Sequence, residues 1–190
     1  MGLMKKKTTK PKLVLLDADA DIVIKAYEIG VWSELIDRVQ IVVTSIVARD
    51  EALFYSKELG KIPEEINLLE LIKEGKISEL TASNTEISIL LDNFDRVFIE
   101  GLHKGEVEAR ALIYSGKALE YNFCSGDKVA IQGLAMIGYS YLGISMEKLL
   151  YGVGLQKKLS HGFTDLYFKK WLKIGNQRFV TKNGLNKSKK

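Results

Sequence analysis

Two short predicted strands of the chain each lead into an aspartate. Residues 13–16 (LVLL) are followed directly by Asp17, and residues 121–124 (YNFC) by a short turn to Asp127. The uninterrupted apolar run of 13–16 is typical of a strand buried on both faces of a parallel sheet. Ligands of open α/β sheets bind at the carboxyl ends of the strands, so both carboxylates are predicted to lie at a binding edge. The alternative is that these aspartates only cap the helices that follow them.

Further carboxylates lie on predicted helices. Glu51, with Asp50 beside it as the alternative, belongs to a helix predicted for 46–59, and Glu106 and Glu108 open a helix predicted for 103–115. Carboxylates that converge in one cleft repel each other unless a cation neutralises them. An all-oxygen donor set favours Mg²⁺ or Mn²⁺ over zinc, and such an ion suits phosphodiester hydrolysis.

The predicted elements alternate between strands and helices. Strands are predicted at 13–16, 41–43, 77–82, 121–124 and 139–144. Helices are predicted at 19–29, 32–39, 46–59, 63–73, 84–94, 103–115, 128–137 and 146–154. This alternation predicts a three-layer α/β/α sandwich with a central, mostly parallel sheet of four or five strands.

The charge is unevenly distributed along the chain. The formal net charge is +4, but residues 13–156 hold 13 basic and 23 acidic residues, whereas 1–12 and 157–190 are basic. The pattern predicts a disordered basic arm at 1–11, an α/β domain at 12–150 and a basic C-terminal extension at 151–190 with a loose end from Lys182. Basic segments are often only solvated, and they also bind phosphate backbones.

Composition favours the cytoplasm and no membrane. No apolar run approaches the roughly 18 residues of a membrane span, and no signal-peptide core follows the basic start. The single cysteine, Cys124, excludes an intramolecular disulfide and a cysteine-rich zinc site.

Four motifs in this order resemble the PIN domain, a family of metal-dependent nucleases that mostly cleave RNA. The motifs are LLDADADIVI, VVTSIVARDEALF, GEVEARALIYSG and FCSGDKVAI, within residues 12–150. The resemblance implies a PIN-like fold and a Mg²⁺- or Mn²⁺-dependent endoribonuclease. The catalytic and metal-binding acids that it implies are Asp17, Glu51, Glu108 and Asp127, with Glu106 as the alternative to Glu108. The second acid that some members carry after the fourth motif is absent, since Lys128 and Val129 follow Asp127.

Five residues are predicted to surround these acids, and the three among them with a hydroxyl group are predicted to hydrogen-bond the ligands or substrate phosphate. The five residues are Asp19, Thr44, Ser45, Glu106 and Ser125. In the basic extension, the predicted RNA-binding residues are Lys157, Lys158, Lys169, Lys170, Trp171 and Lys173. Because many small family members are toxins paired with an antitoxin and often dimerise, the resemblance also implies an antitoxin-like protein and a second copy of the chain as partners.

Two other functions remain open at this stage. A haloacid dehalogenase-like phosphatase would use Asp17 and Asp19, which match its Asp-x-Asp motif. That family, however, has a Thr where Asp21 stands, and the reading leaves Glu51 and Glu108 without a role. A catalytically inactive PIN-like RNA-binding or scaffold protein is the second alternative.

Overall fold

The computed structural model describes residues 12–16, 20–56 and 62–186 of the chain. The strands are β1 (Lys12–Leu16), β2 (Val39–Thr44), β3 (Phe54–Tyr55), β4 (Glu64–Glu65), β5 (Ser78–Leu80), β6 (Asn122–Cys124) and β7 (Gly143–Ile144). The helices are α1 (Asp21–Glu28), α2 (Trp32–Arg38), α3 (Leu68–Lys73), α4 (Asn84–Leu91), α5 (Arg96–Ile99), α6 (Lys104–Tyr114), α7 (Lys128–Met136), α8 (Met146–Gly152) and α9 (Asp165–Thr181). The mixed α/β class agrees with the sequence prediction.

Five short strands form one parallel sheet in the order β5-β2-β1-β6-β7. Its central strand, β1, pairs with β2 on one side and with β6 on the other, so that Leu16 is in register with Val43 and with Cys124. Because all the strands run in the same direction, their carboxyl ends lie along one side of the sheet. We call this side the carboxyl edge.

Each face of the sheet contacts its own hydrophobic core. Successive residues of β2 and β6 alternate between the two cores: Val43 and Cys124 belong to one, and Val42 and Phe123 to the other. The first core is completed by residues of α1, α2, α3 and α8, and the second by residues of α4, α5, α6 and α7. This alternation is the consequence of the two-residue repeat of a strand that is buried on both faces.

The prediction of a long helix over 46–59 is wrong. The chain instead makes a π-helical turn, Val47–Glu51, in which the amide of Ala52 donates to the carbonyl oxygen of Val47, and it then extends into β3. β3 pairs antiparallel with β4, so the helix predicted to start at Pro63 begins only at Leu68. The hydroxyl of Tyr55 binds the carboxylate of Glu64 across this pair. These contacts, between segments about ten residues apart, override the helical spacing of the apolar residues.

The strand predicted for 139–144 is mostly not a strand. A 3₁₀ turn at Ser140–Leu142 precedes the two-residue strand β7. Within the described residues, no helix is both long enough and apolar enough to cross a membrane.

The basic extension is built onto the α/β body, and the predicted boundary at residue 150 falls within α8. Helix α9 lies along α7, where Gly175 lies against Gln132 and Ala135. The buried ring of Phe168 packs on Gly143 of β7, and Leu134 of α7 lies against the same glycine. Helices can approach this closely only where a contact residue is small, and a Cβ atom on Gly175 would lie 2.6 Å from the carbonyl oxygen of Gln132.

The prediction of a loose end from Lys182 is wrong for residues 182–186. The amide of Asp95 donates to the carbonyl oxygen of Gly184, and the amide of Asn186 donates to that of Asn93. Leu185 also forms a β-bridge with Phe94. The chain after α9 is therefore hydrogen-bonded to the segment between α4 and α5. The predicted disordered arm at 1–11 and residues 187–190 lie outside the described residues.

Substituting Gly175 tests the contact between α9 and α7. Gly175→Val should lower the free energy of unfolding by about 2 kcal/mol, because its side chain would force the two backbones apart. The measurement is urea denaturation followed by circular dichroism. Asn176→Val, on the exposed side of the same helix turn, is the matched control and should change stability by less than about 0.5 kcal/mol. Equal stability of the two variants would contradict the close packing.

Candidate active site

Asp127 lies at the carboxyl edge, between β6 and the first turn of α7. Its Oδ1 atom accepts hydrogen bonds from the amides of Val129 (2.5 Å) and Ala130 (2.9 Å), so the carboxylate is the N-cap of α7. Both of these bonds end on Oδ1, which leaves Oδ2 available to a cation or a water molecule. Asp127 therefore caps a helix and is also placed to bind a ligand, so the two interpretations made from the sequence are compatible for this residue.

The predicted ligands Asp17 and Asp19 lie outside the described residues. The structure describes the strand that leads to them: β1 ends at Leu16, between the ends of β2 and β6. The chain therefore leaves β1 at the centre of the carboxyl edge.

Glu108 lies at the carboxyl edge, but it is buried and hydrogen-bonded within the protein. Its Oε1 accepts hydrogen bonds from the hydroxyl of Ser45 (2.7 Å) and the amide of Ala82 (3.1 Å), and its Oε2 accepts one from the amide of Ile46 (3.0 Å). These donors follow the ends of β2 and β5, so one carboxylate joins two neighbouring strand ends to α6. A carboxylate with three of its roughly four acceptor positions occupied has little capacity left for a metal ion.

Glu106 is fully buried on the same helix and forms an ion pair with Arg110. The Nη2 atom of Arg110 lies 3.4 Å from Oε2 of Glu106, and both side chains are 0% exposed. The Nη1 atom of Arg110 donates to the carbonyl oxygen of Ala130 at 3.1 Å. The pair therefore joins the start of α6 to the first turn of α7, which carries Asp127. Glu106 and Glu108 both fix the geometry of the edge.

Glu51 is the last residue of the π-helical turn, not a residue two turns into a helix. Its side chain is half-buried, and Arg49 on the same turn forms a salt bridge with Glu79 (2.9 Å). Asp50, the alternative to Glu51, is exposed. Burial therefore favours Glu51 over Asp50 as the acid that this turn contributes to the predicted site. π-helical turns inside helices are often found at functional sites.

Of the predicted hydroxyl residues at the carboxyl edge, Thr44 and Ser125 are buried and Ser45 is half-buried, and all three are used in local hydrogen bonds. Ser45 donates to Glu108, Thr44 Oγ1 accepts from the amide of Val47 (3.4 Å), and Ser125 Oγ accepts from the amide of Asp127 (3.0 Å). These side chains shape the turns that follow β2 and β6.

Sequence reasoning assigned no role at this edge to Asp21, Phe163 or Tyr167. A Cβ atom on Gly126 would lie 3.2 Å from Oδ2 of Asp21 and 2.8 Å from Cε1 of Phe163, so α1 and the C-terminal segment meet beside Asp127. The ammonium of Lys25 lies 5.4 Å from the centroid of the Phe163 ring. The sequence offers a signal for Asp21, because it is the third aspartate of DADAD at residues 17–21. Nothing near Phe163 in the sequence relates that residue to this edge.

Tyr167, on the first turn of α9, completes this side of the site. Burial raises the pKa of its phenol, and the negative charges of Asp127 and Asp21 raise it further. The phenol is therefore a neutral hydrogen-bond donor at physiological pH. An arrangement of two carboxylates and a neutral phenol can bind a cation and donate to a phosphate oxygen.

The residue that precedes α1 has a strained backbone. Ala20 is buried, caps the start of α1 and has a positive φ of 54°. This conformation costs a residue with a Cβ atom about 1 kcal/mol. Backbone strain of this kind is concentrated at functional sites, where the surrounding structure enforces it.

Among the acidic, histidine and cysteine side chains of residues 20–56 and 62–186, no group of three is placed to hold a metal ion. The described carboxylates around the edge are divided between Asp127 and Asp21 on one side of β1 and Glu108 on the other.

The predicted RNA-binding lysines differ in their surroundings. Lys169 forms a salt bridge with Asp165 (2.5 Å), and the ammonium of Lys170 lies 5.0 Å from the centroid of the half-buried Trp171 ring. Lys157, Lys158 and Lys173 are exposed. Lys169 therefore has its charge partly neutralised, whereas the other lysines present theirs to solvent.

Comparison with protein-family models, curated proteins and solved structures found no match to this chain.

Removing the Glu108 carboxylate should reduce stability. Glu108→Ala would leave the amides of Ile46 and Ala82 without their acceptor, and we expect the free energy of unfolding to fall by about 3 kcal/mol. Combining it with Ser45→Ala in a double-mutant cycle should give a coupling energy of about 1 kcal/mol. Chemical denaturation measures both quantities.

Glu100→Ala is the control for this cycle, because Glu100 forms only an exposed pair with Arg96. It should change stability by less than about 0.5 kcal/mol. A Glu108→Ala variant as stable as Glu100→Ala would contradict the structural role of Glu108.

Proposed function

We propose that this chain is a Mg²⁺- or Mn²⁺-dependent endoribonuclease of the PIN type, with its helices and sheet arranged as a three-layer α/β/α sandwich. The observation that carries the proposal is the position of β1 between β2 and β6. Asp17 follows the last residue of β1 in the sequence, and Asp127 follows the neighbouring strand β6. Adjacent parallel strands that end in carboxylates are a common basis for a ligand site at a sheet edge.

Asp17 and Asp127 would hold the metal ion, with Oδ2 of Asp127 as the available oxygen. Oxygen donors of this kind fit a hard divalent cation. When bound, the ion would lower the pKa of a water molecule and neutralise charge on the phosphate. Glu51 is the acid proposed to orient that water molecule.

The remaining residues would position these acids rather than bind the metal. Glu108, committed to its three donors, would keep β2 and β5 in place, and the Glu106–Arg110 pair would hold the first turn of α7. The neutral phenol of Tyr167 would donate a hydrogen bond to a phosphate oxygen near Asp127. Tyr167 is thus the one residue of the C-terminal segment to which we assign a role in binding the scissile phosphate.

RNA is the proposed substrate because the acidic edge is bordered by basic segments. Residues 157–190 hold ten Lys or Arg residues and a single acid, Asp165. A polyanion would be attracted by these charges, whereas the carboxylates need a cation before a phosphate can approach. The proposed setting is the cytoplasm, with an antitoxin-like protein or a second copy of the chain as further partners implied by the family resemblance.

Amide substitution of the two aspartates tests the reaction. Asp127→Asn and Asp17→Asn should each reduce Mn²⁺-dependent cleavage of a labelled single-stranded RNA at least 100-fold, since each removes a ligand charge. Asn is as good an N-cap as Asp, so Asp127→Asn should unfold at the wild-type temperature. The matched control is Asp37→Asn, on the exposed surface of α2 at the opposite side of the sheet, which should cleave like wild type.

Three other outcomes would overturn the assignment. Cleavage that is unaffected by both substitutions would identify a contaminating nuclease or a different site. Hydrolysis of a phosphate monoester without RNA cleavage, lost in Asp17→Asn, would establish the phosphatase. RNA binding without cleavage or hydrolysis would establish a binding module.

Charge reversal on α9 tests the contribution of the basic segment to RNA binding. A double variant, Lys170→Glu with Lys173→Glu, should weaken RNA binding and reduce the slope of log affinity against log salt by about two, since each lysine releases about one counterion. Fluorescence anisotropy over a salt series measures both effects. These substitutions are preferable to deletion of 157–190, because α9 is packed on α7.

The charge-matched control is Lys73→Glu with Lys76→Glu, which reverses two exposed lysines at the end of α3. The control should keep most of the wild-type slope. Identical slopes for the two double variants would mean that only net charge attracts RNA, and α9 would lose its proposed role.

A further inference from the structure

A cavity of about 410 Å³ lies between α5, α7 and α9, and we call it the α9 groove. Its volume falls within the roughly 300–1,000 Å³ that small-molecule sites occupy. The residues that form its walls and that matter here are Val97, Phe98, Lys128, Gln132, Trp171 and Arg178. No residue so far assigned to the proposed reaction lines this groove.

The apolar part of the groove includes two aromatic side chains. Trp171 of α9 is half-buried, and Phe98 of α5 is 7% exposed, with the guanidinium of Arg178 5.9 Å from the centroid of its ring. Val97, at the same groove, is 81% exposed. Aromatic rings accompanied by cations are the surfaces on which unpaired nucleobases stack.

The polar part of the groove includes an acceptor without a donor. Gln132 is 5% exposed, and its Nε2 donates to the carbonyl oxygen of Lys128 at 2.9 Å. Its buried Oε1 accepts no hydrogen bond from any residue that the structure describes. A buried amide oxygen left without a donor is costly, and a ligand that carries an N–H group would relieve that cost.

The groove borders the candidate active site through α7. Lys128, which lines the groove, is the residue that follows Asp127, and Trp171 lies one helical turn beyond Tyr167. Lys128 and Arg178 contribute two positive charges to the groove, against one carboxylate, Asp95. A ligand that fills the groove therefore lies beside Asp127 and benefits from a negative charge of its own.

We propose that the α9 groove holds one unstacked nucleobase of a single-stranded RNA, while a neighbouring phosphate lies at Asp127. The inference deepens the proposed ribonuclease, on which it rests for the identity of the ligand. The base stacks against Trp171 and donates from an N–H group to Gln132, and Lys128 and Arg178 bind the phosphates on either side of it. The enzyme would thus select a strand whose bases are free to leave the helical stack.

Abasic substitution scanning tests this binding mode without requiring turnover. A labelled ten-nucleotide RNA is prepared with one abasic nucleotide at each position in turn, and its affinity is measured by anisotropy in Ca²⁺, which can neutralise the carboxylates in place of Mn²⁺. We expect one position, or two adjacent ones, at which loss of the base weakens binding about tenfold, the effect of losing one stacked base. Stacking on Trp171 should also quench tryptophan fluorescence with the intact RNA.

Val97→Trp is the variant that fills the groove, because Val97 is exposed at its wall and the larger ring can close it without disturbing the core. Val97→Trp should bind the intact RNA with the low affinity that wild type shows for the most affected abasic RNA. The affinity of Val97→Trp should be the same wherever the abasic nucleotide is placed. Val180→Trp adds the same side chain at an equally exposed site of α9 outside the groove, and should behave like wild type.

Each outcome decides the inference. Affinity that is independent of the abasic position, or a positional effect that persists in Val97→Trp, would overturn the base site. Failure of the wild-type protein to bind any of the RNAs would overturn it as well. A positional effect that Val97→Trp abolishes, in a protein that shows no Mn²⁺-dependent cleavage, would keep the base site and reject the nuclease.

Discussion

Parallel pairing of β1 between β2 and β6 is the constraint on which the carboxyl edge depends. This pairing brings the carboxyl ends of the three strands together. One buried carboxylate, that of Glu108, supports them by accepting hydrogen bonds from residues that follow β2 and β5. The Glu106–Arg110 pair performs the same task for α7. Glu108, which the nuclease motif would assign to metal binding, and Glu106, the alternative to it, are both hydrogen-bonded into this framework.

The C-terminal segment is the second determinant of the site. Because Gly126 and Gly175 lack side chains, Phe163 and α9 can lie against the body, which brings Tyr167 beside Asp127 and Trp171 to the α9 groove. An acidic edge and a basic helix are thereby held next to each other. This juxtaposition would place the proposed cation site beside the proposed surface for a polyanion, in a chain with a net charge of only +4.

Local patterns predicted much of the fold. Apolar runs, glycines that end helices and N-cap residues each determine the structure of only a few neighbouring residues. The helix at 103–115, the strand before Asp127 and the cap at Asp127 are found close to where the sequence puts them. The prediction of a helix over 46–59 failed because β3 pairs with β4, a contact that the spacing of apolar residues within 46–59 does not reveal. The hydrogen bonds to Glu108 and the contact of Phe163 with Gly126 are non-local, and so the sequence could not assign these residues their roles.

The most direct test of the central claim is a calorimetric titration of the protein with Mn²⁺. The account predicts that wild type binds the ion and that Asp17→Asn and Asp127→Asn each weaken binding at least tenfold. It also predicts that Glu108→Gln retains affinity close to wild type if it folds, because Glu108 supports the edge without coordinating the ion. Affinity that is lost in Glu108→Gln but unchanged in the two aspartate variants would contradict the assignment of ligands and framework.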